Sequence, residues 1–173
     1  MARMRAAAMT SPDERRYVTD ALSHALERKL TRDAGIYAPE VDVPGGRVDY
    51  MAFRPFNPIG MDGICAATVE RGTFACYEVK SCWDDYTSGH GLNFMGDENW
   101  LVCPRELAER LCGKTSGFGI LVPDRSGSLR TFVEQPIGGY RKAPASELLW
   151  RMVIASSGVD VYSNEELERD PLS

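Results

Sequence analysis

One stretch of the chain, residues 74–81, reads Phe-Ala-Cys-Tyr-Glu-Val-Lys-Ser. Its first four residues favour a buried strand, and Glu78 and Lys80 then place two charges in it. Because alternate residues of a strand point to the same face, we expect both charges on one face. A buried charge is costly unless it is paired or bound to a metal ion. The stretch therefore predicts a strand that is built for burial and carries a charged site.

A second strand-like run, residues 46–53, contains another carboxylate, Asp49. Hydrolysis of a phosphodiester requires an activated water, stabilised negative charge and a protonated or metal-bound leaving oxygen. Divalent cations held by carboxylates supply much of this, and Mg²⁺ needs only one or two carboxylates. We expect Asp49 and Glu78 to hold the metal ion, with the carbonyl oxygen of Val79 as a further ligand. Lys80 is then placed to orient or deprotonate the water, or to hold the phosphate.

A second interpretation of the same residues involves no chemistry. Glu78 and Lys80 can form an exposed ion pair on the face of an edge strand, and a Glu-x-Lys sequence often occurs by chance. The combination is more informative than the tripeptide, because an Asp in one strand precedes Glu-x-Lys in a second strand of buried type.

Composition limits the class of protein. The chain has 173 residues, of which 43% are hydrophobic and 26% charged, as in an ordinary globular domain. Five cysteines without a C-x-x-C pair favour free thiols in a reducing cytoplasm, and with only two histidines a zinc site is not expected. The net charge of −5 disfavours strong non-specific binding to nucleic acid. It does not exclude a nuclease, since a carboxylate-rich site lowers the net charge and metal ions restore positive charge locally.

Periodicity and breaker residues predict one α/β domain over residues 10–158, with loose termini at residues 1–9 and 159–173. Ser11 and Glu14 form a capping-box pattern at the start of the first helix. The predicted helices cover residues 11–30, 104–111 and 145–155. The predicted strands cover residues 36–43, 47–53, 73–81, 99–104, 118–123 and 129–134, the last of them an edge strand.

With Asp49 upstream, the motif Glu78-Val79-Lys80 resembles the PD-(D/E)xK nuclease superfamily. The segments 78–104 and 117–122 resemble the MmcB-like DNA-repair group, which is often phage-borne. This resemblance implies a restriction-endonuclease-like fold, in which helices flank a central mixed β-sheet, together with Mg²⁺ or Mn²⁺ as cofactor and DNA as substrate. The chain departs from the superfamily pattern at Val48, where the name has a proline, a position that varies widely.

Further candidates surround this motif. Related nucleases often place a glutamate of the first helix near the metal ion, which makes Glu14 a candidate ligand, although its capping box explains it equally. Ser81, Asp85, His90 and Asn93 are candidate substrate-binding residues, since they lie in or beside a Gly-rich segment of the kind that often contacts ligands. For Asp85, a helix cap or a solvated turn is the alternative. Several basic residues are candidates for phosphate contacts or for plain solvated positions: Arg47, Arg105, Arg110, Lys114, Arg125 and Arg130.

The leading functional hypothesis is a metal-dependent DNA endonuclease or exonuclease that acts in DNA repair or in phage DNA metabolism. The alternative is a catalytically weak protein on the same fold that binds nucleic acid or a host factor, because fold does not fix function. A homodimer and a protein partner stay open, and no membrane association is expected.

Overall fold

The computed structural model describes residues 11–33, 36–56, 65–88, 91–114, 116–137 and 139–157. The helices are α1 (Pro12–Asp33), α2 (Ala66–Glu70), α3 (Trp83–Thr87), α4 (Arg105–Leu111) and α5 (Ala145–Ser157). The strands are β1 (Tyr37–Val43), β2 (Gly46–Arg54), β3 (Thr73–Val79), β4 (Glu98–Val102), β5 (Gly119–Pro123) and β6 (Leu129–Val133). The predicted termini, residues 1–9 and 159–173, lie outside the described residues.

Within these residues the strands form one six-stranded sheet in the order β1-β2-β3-β4-β5-β6. β1, β2 and β3 pair antiparallel, β3, β4 and β5 pair parallel, and β6 returns antiparallel to β5. The predicted fold class, a mixed sheet flanked by helices, is therefore confirmed. β3 is the strand where the antiparallel and parallel halves meet, so its carboxyl end lies beside the start of the antiparallel β2.

Two hydrophobic cores cover the two faces of the sheet. On one face, α1 places Leu22, Leu26 and Leu30 against side chains of β2 and β3 such as Tyr50 and Tyr77. On the other face, α4 and α5 pack on a larger cluster. We call the first of these two faces of the sheet the α1 face and the second the α5 face. The helices thus enclose β3, whose residues from Phe74 to Val79 are all buried.

The capping box that begins α1 is confirmed. The backbone N–H of Glu14 donates to Ser11 Oγ at 3.2 Å, and the backbone N–H of Ser11 donates to Glu14 Oε2 at 3.4 Å. The helix continues three residues beyond the predicted end, to Asp33. An i,i+4 ion pair joins Lys29 to Asp33 at 2.7 Å and supports this last turn.

The remaining predicted elements are present, with their ends shifted by one or two residues. The strand expected to reach Ser81 ends at Val79, although the N–H of Lys80 still donates to the carbonyl of Val102 at 3.0 Å. The sequence pattern does not single out α2 and α3, which are five residues long each and too short for periodicity to register. All five cysteines are free thiols. Among the described helices, none combines the length and the apolar character that a membrane span requires.

Candidate metal centre

The strand β3 brings Glu78 and Lys80 to the α5 face of the sheet. They follow Phe74 and Cys76 at alternate positions, and both of those residues belong to the core on that face. Only 1% of Glu78 and 6% of Lys80 is exposed. The interpretation of these residues as an exposed ion pair on an edge strand is therefore wrong, because β3 is a central strand and its charges are buried at its carboxyl end.

Asp49 reaches the same place from β2. The pairing of Tyr50 with Tyr77 puts Asp49 next in register to Glu78, at the point where the regular ladder between β2 and β3 stops. Asp49 Oδ2 accepts a hydrogen bond from the backbone N–H of Val79 at 2.7 Å. This bond fixes the carboxylate across the end of β3. Val79 thus contributes its N–H to the site, and the metal-binding role of its carbonyl stays a prediction.

The carboxylate of Glu78 has one paired and one unpaired oxygen. Oε1 accepts a hydrogen bond from the backbone N–H of Asn93 at 3.3 Å. Oε2 is buried and has no hydrogen-bond partner among the residues that the structure describes. An unpaired buried carboxylate oxygen is energetically costly, and binding to a cation removes that cost.

The electrostatic environment disfavours the ionised form of both carboxyl groups. Burial, together with the nearby charge of Asp49, raises the pKa of Glu78 to about 7, against an ordinary value of 4.5. Burial also raises the pKa of Asp49, while the Val79 N–H and the charge of Lys80 act in the opposite direction. A buried and a half-buried carboxyl group that both resist ionisation are the electrostatic setting that a divalent cation relieves.

Asp85 connects Lys80 and Ser81. Its Oδ2 accepts from both the N–H and the hydroxyl of Ser81, at 2.8 and 3.0 Å, and its Oδ1 lies 3.8 Å from Lys80 Nζ. Ser81 is only 3% exposed. In this structure both hydrogen-bond donors of Ser81 are thus used by Asp85. Asp85 in turn contacts Ser81 and Lys80, the two residues that follow β3. Their predicted contacts with substrate remain a prediction.

The segment that follows α3 forms one wall of the site. Gly91 lies against Glu78 and Lys80, and Asn93 bridges two strands: its N–H binds Glu78 and its side-chain amide donates to the Arg47 carbonyl at 3.1 Å. Together these elements leave a solvent-accessible cleft of about 420 Å³. The residues that line it are Gly45, Gly46, Arg47, Asp49, Glu78, Lys80, Gly91 and Asn93.

The donor set fits a hard divalent cation. Asp49 and Glu78 supply carboxylate oxygens, which Mg²⁺ and Mn²⁺ accept, and Mg²⁺ commonly keeps several waters beside one or two carboxylates. No cluster of three or more His, Cys, Asp or Glu side chains suited to a metal ion occurs among the described residues. The described lining of the cleft has carboxylates but no Cys or His, so its donors are of the kind that Mg²⁺ accepts rather than the kind typical of zinc sites.

The other sequence candidates lie elsewhere. Glu14 is exposed in a separate shallow cleft with Asp13, Tyr17 and Val18, and its carboxylate serves the capping box of α1. The described residues that line the candidate metal centre do not include it. His90 lies outside the described residues.

The aromatic and acidic residues of α3 have structural partners. Asp84 pairs with Arg15 at 3.1 Å on the surface. Trp83 packs against the core of the α5 face, and the guanidinium of Arg110 lies 3.4 Å from its ring centroid. Trp83 is thus a packing residue of the α5 face in this structure.

Sequence reasoning did not single out Gly91 and Gly46. Gly91 has a φ of +86°, and a β-carbon added there would meet Glu78 and Lys80. Gly46 lies against the amide of Asn93 in the same way. The only indication of these two positions in the sequence is the high glycine content around them, since a close approach between distant segments leaves no periodic pattern.

No protein-family model matches the chain, and a search of curated proteins finds no match. Among solved structures, the chain is similar to the SPO1766 protein of unknown function from Silicibacter pomeroyi, at 17% sequence identity and a TM-score of 0.58. The similarity covers 84% of this chain and 97% of that chain. At this level of identity the two proteins share the α/β fold, a mixed sheet flanked by helices, and the likeness extends to the fold alone.

Proposed function

We propose that this protein is a metal-dependent nuclease that hydrolyses phosphodiester bonds in DNA, in DNA repair or in phage DNA metabolism. One observation carries the proposal: Glu78 is 1% exposed and its Oε2 has no hydrogen-bond partner among the described residues, yet Glu78 lines the same cleft as Asp49 and Lys80. Burying a carboxylate oxygen without a partner costs free energy that an apolar side chain would not, so packing alone does not account for a glutamate at this position. The choice of DNA rests on the resemblance of the Glu78-Val79-Lys80 segment to DNA-acting nucleases.

Asp49 and Glu78 would hold Mg²⁺ or Mn²⁺, since they are the carboxylates that line the described part of the cleft. When bound, the cation supplies Lewis acidity at the phosphate and lowers the pKa of the attacking water. The hydrogen bond from Val79 orients Asp49, and the one from Asn93 orients Glu78. Both carboxylates are therefore fixed by backbone groups before the substrate arrives, which limits the reorganisation that the reaction requires.

Lys80 would act on the reacting groups directly. Its ammonium group lies beside Glu78, as their common approach to Gly91 shows, and its backbone is held by the bond to Val102. From this position it would hold a phosphate oxygen or orient the attacking water. Asp85, at 3.8 Å from Lys80 Nζ, would keep the ammonium pointed into the cleft.

The test is a cleavage assay with Mg²⁺ or Mn²⁺ on single-stranded, double-stranded and branched DNA. We expect wild-type protein to cleave at least one of these substrates, and Lys80→Ala and Glu78→Gln to lose about 10²- to 10⁴-fold in rate. Arg130→Ala is the control, because Arg130 lies on the edge strand β6, pairs with Asp124 and is not among the described residues that line the cleft, so this variant should cleave at the wild-type rate.

Two results would count against the proposal. Cleavage that survives Lys80→Ala would assign the activity to another site or to a contaminant. No cleavage of any substrate, combined with metal-independent DNA binding, would favour the alternative of a binding protein on the same fold.

A further inference from the structure

We propose that Arg47 binds a backbone phosphate of the nucleic acid beside the reacting phosphodiester, and that Glu40 competes with this phosphate for the guanidinium. The inference rests on the proposed function, because it assigns the ligand of the same cleft. It adds Arg47 as a substrate-binding residue. It also adds Glu40 as a group of the protein itself that weakens substrate binding.

Arg47 is fixed to the candidate metal centre through its backbone. It stands two residues before Asp49 in β2 and lines the same cleft. Its carbonyl oxygen accepts a hydrogen bond from the side-chain amide of Asn93 at 3.1 Å, and the backbone N–H of Asn93 donates to Glu78 Oε1. The backbone of Arg47 is therefore held in a fixed place relative to Glu78, and a phosphate bound by its guanidinium would lie beside the candidate metal centre.

The cleft has two basic side chains among its described lining residues, and they differ in exposure. The side chain of Lys80 is 8% exposed and lies near Asp85. The side chain of Arg47 is 54% exposed. Arg47 is thus the cation of this pair that can meet a large anionic ligand at the surface. A guanidinium also matches the geometry of a phosphate group with two parallel hydrogen bonds.

In the free protein, Glu40 forms an ion pair with the guanidinium of Arg47. Its carboxylate lies 3.3 Å from Arg47, and its side chain is 67% exposed. Exposed ion pairs contribute little to stability, so a phosphate can replace the carboxylate at small cost. Glu40 also has a φ of +51°, at a break in the pairing between Pro39–Tyr50 and Val41–Val48. A non-glycine residue keeps such a conformation only where its surroundings impose it.

The hairpin turn between β1 and β2 leaves room for the ligand. A β-carbon added to Gly45 would find no atom within 4 Å, so the tip of the hairpin borders open space. Gly45 also lines the cleft. A nucleic-acid strand can therefore approach Arg47 along the turn without first displacing other side chains of the described residues at this tip.

The experiment measures binding rather than cleavage. Fluorescence anisotropy of labelled single- and double-stranded oligonucleotides is recorded over a range of salt concentrations, with Ca²⁺ replacing Mg²⁺. The variants are Arg47→Ala, Arg47→Lys and Glu40→Gln. The matched control is Arg130→Ala, which removes another strand arginine from a pair with an acidic residue, Asp124, at 3.0 Å.

We expect Arg47→Ala to weaken binding about tenfold at low salt and to reduce the slope of log K against log salt by about one. Arg47→Lys should restore most of the slope, because the charge is retained. Glu40→Gln should tighten binding several-fold, since it removes the competing carboxylate. Arg130→Ala should behave as wild type.

The outcomes separate this inference from the nuclease proposal. If wild type cleaves DNA but Arg47→Ala keeps the wild-type salt slope, Arg47 is not a phosphate-binding residue and the nuclease proposal stands. If wild type never cleaves but binding depends on Arg47 and Glu40 as expected, the phosphate site stands and the nuclease proposal fails. Absence of DNA binding overturns both. If Arg47→Ala is poorly folded by circular dichroism, Glu40→Gln decides: affinity equal to wild type overturns the inference.

Discussion

A β-carbon placed on Gly91 would lie 2.7 Å from Glu78 Oε2 and 2.7 Å from Lys80 Nζ. Both distances are shorter than real β-carbon contacts, so any other residue at this position would displace the ends of these two side chains. The oxygen involved is the one that has no hydrogen-bond partner among the described residues. Gly91 therefore marks the point where the carboxylate and the ammonium meet the cleft.

Gly91→Ala is expected to impair the site more than the fold. With a φ of +86°, the substitution should cost about 1–2 kcal/mol in backbone strain, and the new methyl group would push Glu78 and Lys80 apart. We expect metal affinity and cleavage to fall together, as measured by calorimetry and the DNA assay.

Gly113→Ala is the matched control for Gly91→Ala. Gly113 has a φ of +73°, but a β-carbon there would meet nothing within 4 Å. It should show a similar loss of stability with unchanged cleavage. Equal cleavage by the two variants would mean that Gly91 does not shape the site.

Metal binding and chemistry should separate between Glu78 and Lys80. Glu78→Gln removes a proposed ligand and is expected to weaken Mn²⁺ binding by tenfold or more in calorimetry. Lys80→Ala removes a positive charge beside the metal position, so it should bind Mn²⁺ at least as tightly as wild type while losing cleavage. Loss of metal binding in Lys80→Ala would instead show that the lysine holds the site together.

The pH dependence of stability should report on Glu78. Its pKa is raised from 4.5 to about 7 in the folded protein, so its contribution to stability is complete below pH 4.5 and is lost as the pH rises through about 7. In urea unfolding of the metal-free protein, we expect this group to lower the free energy of unfolding by roughly 2–3 kcal/mol between pH 5 and 8.

Two comparisons test that assignment. Glu78→Gln should flatten the change between pH 5 and 8, because the amide does not titrate. Saturating Mg²⁺ should also reduce the fall in the free energy of unfolding between pH 5 and 8, since the cation binds the ionised carboxylate. An identical pH profile for wild type and Glu78→Gln would assign the titration to another group.

Asp85→Asn should affect the position of Lys80 rather than metal binding. An amide oxygen can still accept from Ser81, but the charge 3.8 Å from Lys80 Nζ is lost. We expect kcat to fall roughly ten- to a hundredfold with KM little changed. Asp84→Asn is the control, because Asp84 pairs with Arg15 on the surface, and it should cleave normally. A rise in KM without a change in kcat would indicate direct substrate binding by Asp85.

Tyr50→Phe should alter stability and leave the site unchanged. The Tyr50 hydroxyl donates to Glu27 Oε1 at 2.9 Å on the α1 face, the opposite side of the sheet from Glu78. Loss of this bond is expected to cost about 1–2 kcal/mol in urea unfolding. A parallel loss of cleavage would show that the α1 face is coupled to the candidate metal centre.

Much of the fold could be predicted because its signals are local. Ser11 and Glu14 form their capping box within one turn, and glycine and proline mark the hairpin that ends at Gly46. The candidate site was predicted in part: Asp49, Glu78 and Lys80 do line one cleft. Asn93 also lines it, but through contacts with Arg47 and Glu78 that no local pattern records.

Local patterns in the sequence were enough to place the six described strands and the three longer helices, and to direct the side chains of Glu78 and Lys80 to the same side, because side-chain periodicity is a local property of the backbone. Three further features follow from the folded chain alone: Asp49 meets the end of β3, Glu14 lines a different cleft, and burial raises the pKa of Glu78 to about 7. These depend on strand register and on the removal of water. Both are set by contacts between residues that are far apart in the chain.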